Sequence, residues 1–137
     1  MKIFVTGATG HVGGAVARRL ASAGHRVSGL LRSAGKRERL EDGGIEPVYG
    51  DMTIPASYRP AARDHDALVH CAFRDEGDRV GADRTTVDAL LDAARLGERP
   101  RMVLYTSGCW VLGDTGPDAA DEDAPVDEPA EIVGWRP

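Results

Sequence analysis

Cysteine is scarce in this chain, and the two present, Cys71 and Cys109, lie far apart without metal-ligand spacing. That excludes a disulfide framework and a cysteine metal motif, and leaves two thiols expected to stay free in a reducing compartment. Long apolar runs are also missing. None approaches the roughly 20 residues needed to span a bilayer, and Met1-Lys2 leads straight into a strand-like segment rather than a signal peptide. The expectation is a cytoplasmic protein with no membrane partner. The net charge of −5 offers no general attraction for nucleic acid.

Charge is nevertheless uneven. Met1 to Leu40 carries Lys2, Arg18, Arg19, Arg26, Arg32, Lys36, Arg37 and Arg39 against the single acid Glu38, whereas the charged residues from Asp114 to Glu131 are all acidic. Solvated faces account for most of these charges. With 42% apolar and 28% charged residues, the 137-residue chain has the composition of a folded domain and the length to bury a core without staples.

Periodicity along the chain alternates. Lys2 to Val5 is a short apolar run, Gly7 to Gly13 a turn, and Val12, Val16 and Leu20 recur at helical spacing until Gly24. Arg26 to Leu31 and Ile45 to Tyr49 read as strands flanking a short helix near Gly35 to Glu41. Thr53 to Arg63 is a weaker, proline-interrupted crossover. Ala67 to Ala72 follows as a buried strand, Val80 to Leu96 as a helix and Met102 to Thr106 as a fifth strand. Strands alternating with helices imply an α/β, Rossmann-type doubly wound parallel sheet, here in the order 3-2-1-4-5. After Gly113 apolar periodicity ends. The expected division is a dinucleotide-binding domain over 1–113 and an acidic, irregular tail over 114–137.

Gly7, Gly10 and Gly13 stand between the first strand and the first helix, where glycine permits a tight turn and a close approach of backbone to phosphate. A helix beginning near His11 aims its unpaired N–H groups and positive dipole end at an anion. Gly7, Thr9, Gly10, His11, Val12 and Gly13 are therefore candidate cofactor contacts, although His11 would serve equally well as a solvated side chain. At the end of strand two, Leu30-Leu31-Arg32-Ser33 offers no acid to bind ribose hydroxyls. Arg32, with Lys36 and Arg37 nearby, suits the extra phosphate of NADP, and Ser33 adjoins it. The expected cofactor is NADP in preference to NAD. Solvation of the second helix accounts for Arg39 and is the competing account of Arg37.

Thr6-Gly7-Ala8-Thr9-Gly10 resembles the short-chain dehydrogenase/reductase superfamily, with its closest likeness to NAD-dependent epimerase/dehydratase proteins of the extended and atypical branches. The resemblance continues through Gly50-Asp51-Met52, His70-Cys71-Ala72-Phe73 and Tyr105-Thr106-Ser107, each at the C-terminal end of a strand. It implies that Asp51 accepts a hydrogen bond from the adenine amino group, that Met52 lies beside the ring, and that Ala72 and Phe73 line the ribose and phosphate path. An Asp that merely forms a turn is the competing account of Asp51. Thr106 closes strand five beside the cofactor, and Ser107 is the candidate catalytic hydroxyl, because Gly108 occupies the position where the family usually has Ser or Thr; a Ser that merely terminates strand five is the competing account.

The family's Tyr-x-x-x-Lys acid/base pair has no match here. The only lysines are Lys2 and Lys36, and Tyr49, Tyr58 and Tyr105 are followed four residues later by Thr53, Ala62 and Cys109. The usual Asn before strand five is matched most nearly by Asp83. The helix the family adds next would start around Trp135-Arg136-Pro137. The resemblance thus implies the cofactor half of an oxidoreductase or epimerase acting on a small carbonyl, alcohol or sugar-nucleotide substrate. The expectation is that the C-terminal strands and substrate lobe are absent, and that an exposed sheet edge favours a homo-oligomer. The alternative is a non-catalytic module that senses NADP or NAD. His25, His65 and His70 show no ligand spacing, and no metal is expected.

Overall fold

A computed structural model describes residues 1–96, 101–117 and 119–133. Contacts divide the chain into two units, Met1–Tyr105 and Thr106–Pro137.

The first unit is built on five parallel strands, β1 (Lys2–Thr6), β2 (Arg26–Leu31), β3 (Ile45–Tyr49), β4 (Ala67–His70) and β5 (Met102–Tyr105), in the spatial order β3-β2-β1-β4-β5. This is the order the strand-helix alternation implies. The crossovers carry helices α1 (His11–Ser22), α2 (Arg37–Glu41), α3 (Arg59–Arg63) and α4 (Arg79–Arg95). The proline-interrupted crossover resolves into a 3-10 turn, Pro55–Ser57, followed by α3.

Helices on both faces explain why the strands read as nearly continuous apolar runs. Odd-numbered residues of β1 and β4, Ile3, Val5, Ala67 and Val69, pack with Val27, Leu31, Ile45, Ala17 of α1 and Leu40 of α2. Their even-numbered neighbours Phe4 and Leu68 pack on the other face against Tyr58, Ala62 of α3 and Ala89, Leu90 and Ala93 of α4. Burying a side chain such as Phe4 or Leu68 contributes about 1.5–3 kcal/mol. Burial also holds the strand ends in register, Thr6 beside His70 and His70 beside Tyr105.

The stripe that faces the sheet from α1 is offset from the Val12, Val16, Leu20 pattern. Gly13, Gly14 and Ala17 are buried, Val16 and Leu20 are partly buried, and Val12 is exposed. Small residues win because they let the helix lie close to the turn that precedes it.

In the second unit, 3-10 turns form at Cys109–Leu112 and Glu131–Val133, and Ala130 N–H donates to the Trp110 carbonyl at 3.0 Å. Residues 106–113 therefore group with the segment after them, whereas the sequence suggested a division after Gly113. The helix expected around Trp135 lies outside the described residues. Among the described residues, no helix is long and apolar enough to cross a membrane.

Candidate functional site

All strands of a parallel sheet end together, and here those ends open into a cleft of about 500 Å³. Its floor and walls come from four connections. Gly7 and Thr9 follow β1, Arg32, Ser33 and Lys36 follow β2, and Asp51 and Met52 follow β3, opposite Ala72, Phe73 and Arg74 after β4.

The turn after β1 is shaped by the absence of side chains. Gly7 adopts φ +74, and a Cβ there would stand 2.6 Å from the Cys71 carbonyl and the Ala72 nitrogen. A Cβ on Gly13 would collide with the Gly7 carbonyl oxygen. Turn, helix and β4 loop thus approach closer than any L side chain permits. Gly10 N–H donates to the Gly7 carbonyl at 2.8 Å, closing the turn, and Gly10 then caps α1 with no side-chain hydrogen bond. Neither an acid nor a capping hydroxyl competes for the first-turn N–H groups of α1, which suits them to phosphate oxygens. A cradle that a Cβ would fill fits a pyrophosphate.

On the β3 side, the Asp51 carboxylate accepts from Thr53 N–H at 2.9 Å and from the Thr53 hydroxyl at 2.7 Å. These bonds hold its pKa below the usual carboxylate value against the opposing cost of burial, and the Arg32 and Arg74 guanidiniums add a lesser pull in the same direction. The ionised form is the acceptor that an adenine amino group needs. The same bonds are those of a turn-forming Asp. Met52 packs against the Phe4–Leu90 core, and its carbonyl accepts from the buried Tyr58 and Thr86 hydroxyls at 3.3 and 3.2 Å. Burial pushes the Tyr58 phenol pKa up.

The structure therefore brings Gly7, Thr9, Arg32, Ser33, Asp51, Met52, Ala72 and Phe73 to one cleft. Gly10, His11 and Val12 lie at the exposed start of α1, and Gly13 is buried behind Gly7. Thr106 and Ser107 are exposed residues of the second unit. Arg37 is engaged by Glu41 at 2.8 Å one helical turn on, which accounts for its charge without a ligand. Arg74 was not singled out in the sequence. It lines the cleft and donates from Nε to the Glu76 carbonyl at 2.8 Å; its only sequence signal is its place directly after Phe73. Among the described residues, Cys71 and Cys109 form no disulfide.

A second feature at the strand ends escaped sequence reasoning as a group. Thr6 Oγ1 is 2.6 Å from His70 Nδ1, His70 Nε2 is 3.2 Å from Asp83 Oδ1, and the Tyr105 hydroxyl donates to Asp83 Oδ2 at 3.0 Å. Thr6, His70 and Asp83 are buried. Register alone sets Thr6 beside His70 and His70 beside Tyr105, and only the packing of α4 supplies Asp83.

Comparison with known proteins agrees with this geometry. A family model described as NAD(P)H-binding matches residues 7–126. The chain is 32% identical over 120 residues to an uncharacterized protein of Schizosaccharomyces pombe, covering 85% of this chain and 40% of that one. It is 39% identical over 71 residues to the 2-alkyl-3-oxoalkanoate reductase of Shewanella oneidensis, covering 52% of this chain and 18% of the reductase. Its fold superposes with a TM-score of 0.76 on UDP-glucose 4-epimerase from Bifidobacterium longum, solved with NAD+ and UDP. The identity there is 17%, over 91% of this chain and 42% of the epimerase. The chain belongs to the NAD(P)H-binding family. Its cofactor class is the nicotinamide dinucleotide. It spans less than half the length of these relatives.

Proposed function

We propose that this chain is the dinucleotide-binding part of a reductase or epimerase that uses NADP in preference to NAD and acts on a small carbonyl, alcohol or sugar-nucleotide substrate. The observation that carries the cofactor choice is the wall after β2, where Arg32 and Lys36 line the cleft and no acid stands. A guanidinium there favours a ribose phosphate over a free hydroxyl. The reductase named among the relatives supports the reaction class.

The nicotinamide supplies the hydride chemistry. The glycine cradle and the start of α1, with Thr9, Gly10, His11, Val12 and Gly13, receive the pyrophosphate. Asp51 and Met52 fix the adenine, while Ala72 and Phe73 line the ribose and phosphate path. Ser107 orients the substrate oxygen. The edge strand β5 leaves Met102 and Leu104 exposed on one face, and a second copy of the chain covers it.

Titration of the purified chain with NADPH and NADH, by fluorescence and calorimetry, tests the reading. Tighter binding of NADPH is expected. Equal affinities overturn the NADP preference, and no response to either overturns the cofactor site. Binding without turnover across aldehydes and sugar nucleotides would return the chain to a sensing module.

A further inference from the structure

The buried chain Thr6–His70–Asp83–Tyr105 sits where the two walls of the cofactor cleft begin. Thr6 is the last residue of β1, and Gly7 follows it. His70 is the last residue of β4, and the segment carrying Ala72, Phe73 and Arg74 follows it. Asp83 stands in α4, just past the end of that segment. The contact between His70 Nε2 and Asp83 Oδ1, at 3.2 Å, therefore closes residues 71–82 into a loop at its base. The Thr6 bond at 2.6 Å fastens the same histidine to the glycine turn.

With a carboxylate at Asp83 and a neutral imidazole at His70, one arrangement satisfies every group. An ionised Asp83 only accepts, so it takes the Tyr105 hydroxyl proton at Oδ2 and the His70 Nε2–H at Oδ1. Neutral His70 then accepts at Nδ1 from the Thr6 hydroxyl. Each of these buried groups is paired, and removing one leaves its neighbour buried without that partner. The tolerance of the cleft above is small. Turn and loop are already so close that a Cβ on Gly7 would lie 2.6 Å from the Ala72 nitrogen.

We propose that His70 and Asp83 are positioning residues for the dinucleotide: their contact clasps the loop after β4 to the glycine turn at the spacing the cofactor requires. The proposal rests on the NAD(P) reading of the cleft. Neither side chain lines the cleft, so the effect passes through the backbone of residues 71–82.

The test is NADPH affinity and amide hydrogen exchange in Asp83→Ala, Asp83→Asn and Leu90→Ala. Asp83→Ala is expected to weaken NADPH on the order of tenfold, as a small misplacement of a binding wall does, and to speed exchange at residues 72–78 in the free chain. Asp83→Asn keeps the shape. Its carbonyl accepts from Tyr105, and its amide donates to His70 Nε2 once the imidazole proton moves to Nδ1, so affinity should return to within about threefold of the parent chain. Leu90→Ala removes buried volume from α4 without touching the clasp, and it should lower the unfolding midpoint while leaving affinity unchanged at temperatures where the chain is folded. Parental affinity in Asp83→Ala, or equal weakening in Leu90→Ala, overturns the proposal. Should Asp83→Ala fail to fold, an Asp83→Asn variant that binds tenfold more weakly overturns the expected rescue, and one that binds like the parent supports it. If the parent chain binds neither NADPH nor NADH, the cofactor reading fails, and unchanged exchange at 72–78 in Asp83→Ala separately refutes the clasp.

Discussion

Gly7 and Gly10 are three residues apart in one turn, yet their substitution should fail in opposite ways. Gly7→Ala forces an L side chain into φ +74, at about 1–2 kcal/mol. It also drives a Cβ to 2.6 Å from backbone atoms of Cys71 and Ala72, which cannot swing aside. Overpacking of this kind costs roughly 1–3 kcal/mol. The sum, roughly 2–5 kcal/mol, lowers the unfolding midpoint by roughly 8–20 °C at about 4 °C per kcal/mol for a domain of this size. Gly10 instead has φ −83 and ψ −177, open to any residue, and a Cβ there meets only the Gly7 oxygen at 3.2 Å. Gly10→Val should cost about 1 kcal/mol, the loss of a favourable cap residue, and a few degrees of midpoint. In the proposed binding mode its side chain would occupy the approach of the pyrophosphate to the first N–H groups of α1. Losing two charge-assisted hydrogen bonds at about 1.5 kcal/mol each removes about 3 kcal/mol of binding, roughly a hundredfold in Kd. Thermal unfolding by circular dichroism and NADPH titration at 25 °C measure both. Gly10→Val bound within threefold of the parent chain, or melting as early as Gly7→Ala, would refute the assignment of the turn.

Three further outcomes are expected. Arg32→Glu should weaken NADPH more than NADH, and equal losses in paired titrations would assign Arg32 a structural role. Thr53→Ala removes the hydroxyl bond but keeps the larger backbone N–H bond, so it should raise the Asp51 pKa part of the way toward the ordinary carboxylate value. Because the folded pKa is depressed, the stability it contributes is present above the unfolded value and lost as pH falls through the folded one, so in the variant the contribution is smaller and its loss is complete at a higher pH; an unchanged Asp51 titration by carboxyl NMR would show that the Thr53 hydroxyl is not a cause. Sedimentation across concentration should show self-association that Met102→Lys with Leu104→Lys diminishes, and a parent chain monomeric throughout would remove β5 as the interface.

The fold was legible because each local signal had one physical reading. Apolar runs of four to six residues, punctuated by Gly24, Gly35 and Gly50, leave only strands and short helices, and right-handed crossovers then fix the order of the sheet. Cleft residues that follow a strand directly, such as Arg32, Asp51 and Ala72, were legible for the same reason. The offset of the α1 stripe was not, because apolarity marks Val12 while close approach selects Gly13. The partnership of Asp83 with His70 and Tyr105 was hidden as well. It depends on the rotation of α4 about its axis, which the sequence of one helix does not encode.

Parallel strands give the first unit a polarity with a practical use. The Lys2 N–H donates to the Asp66 carboxylate at 2.7 Å and the Met1 carbonyl accepts from Arg26 N–H at 3.0 Å, so the chain start is pinned at the end of the sheet remote from the cleft. The five residues of β1 separate them by roughly 16 Å at about 3.3 Å per residue. A surface or reporter tethered through Met1 would leave the dinucleotide mouth pointing outward, the orientation that an immobilised nicotinamide sensor requires.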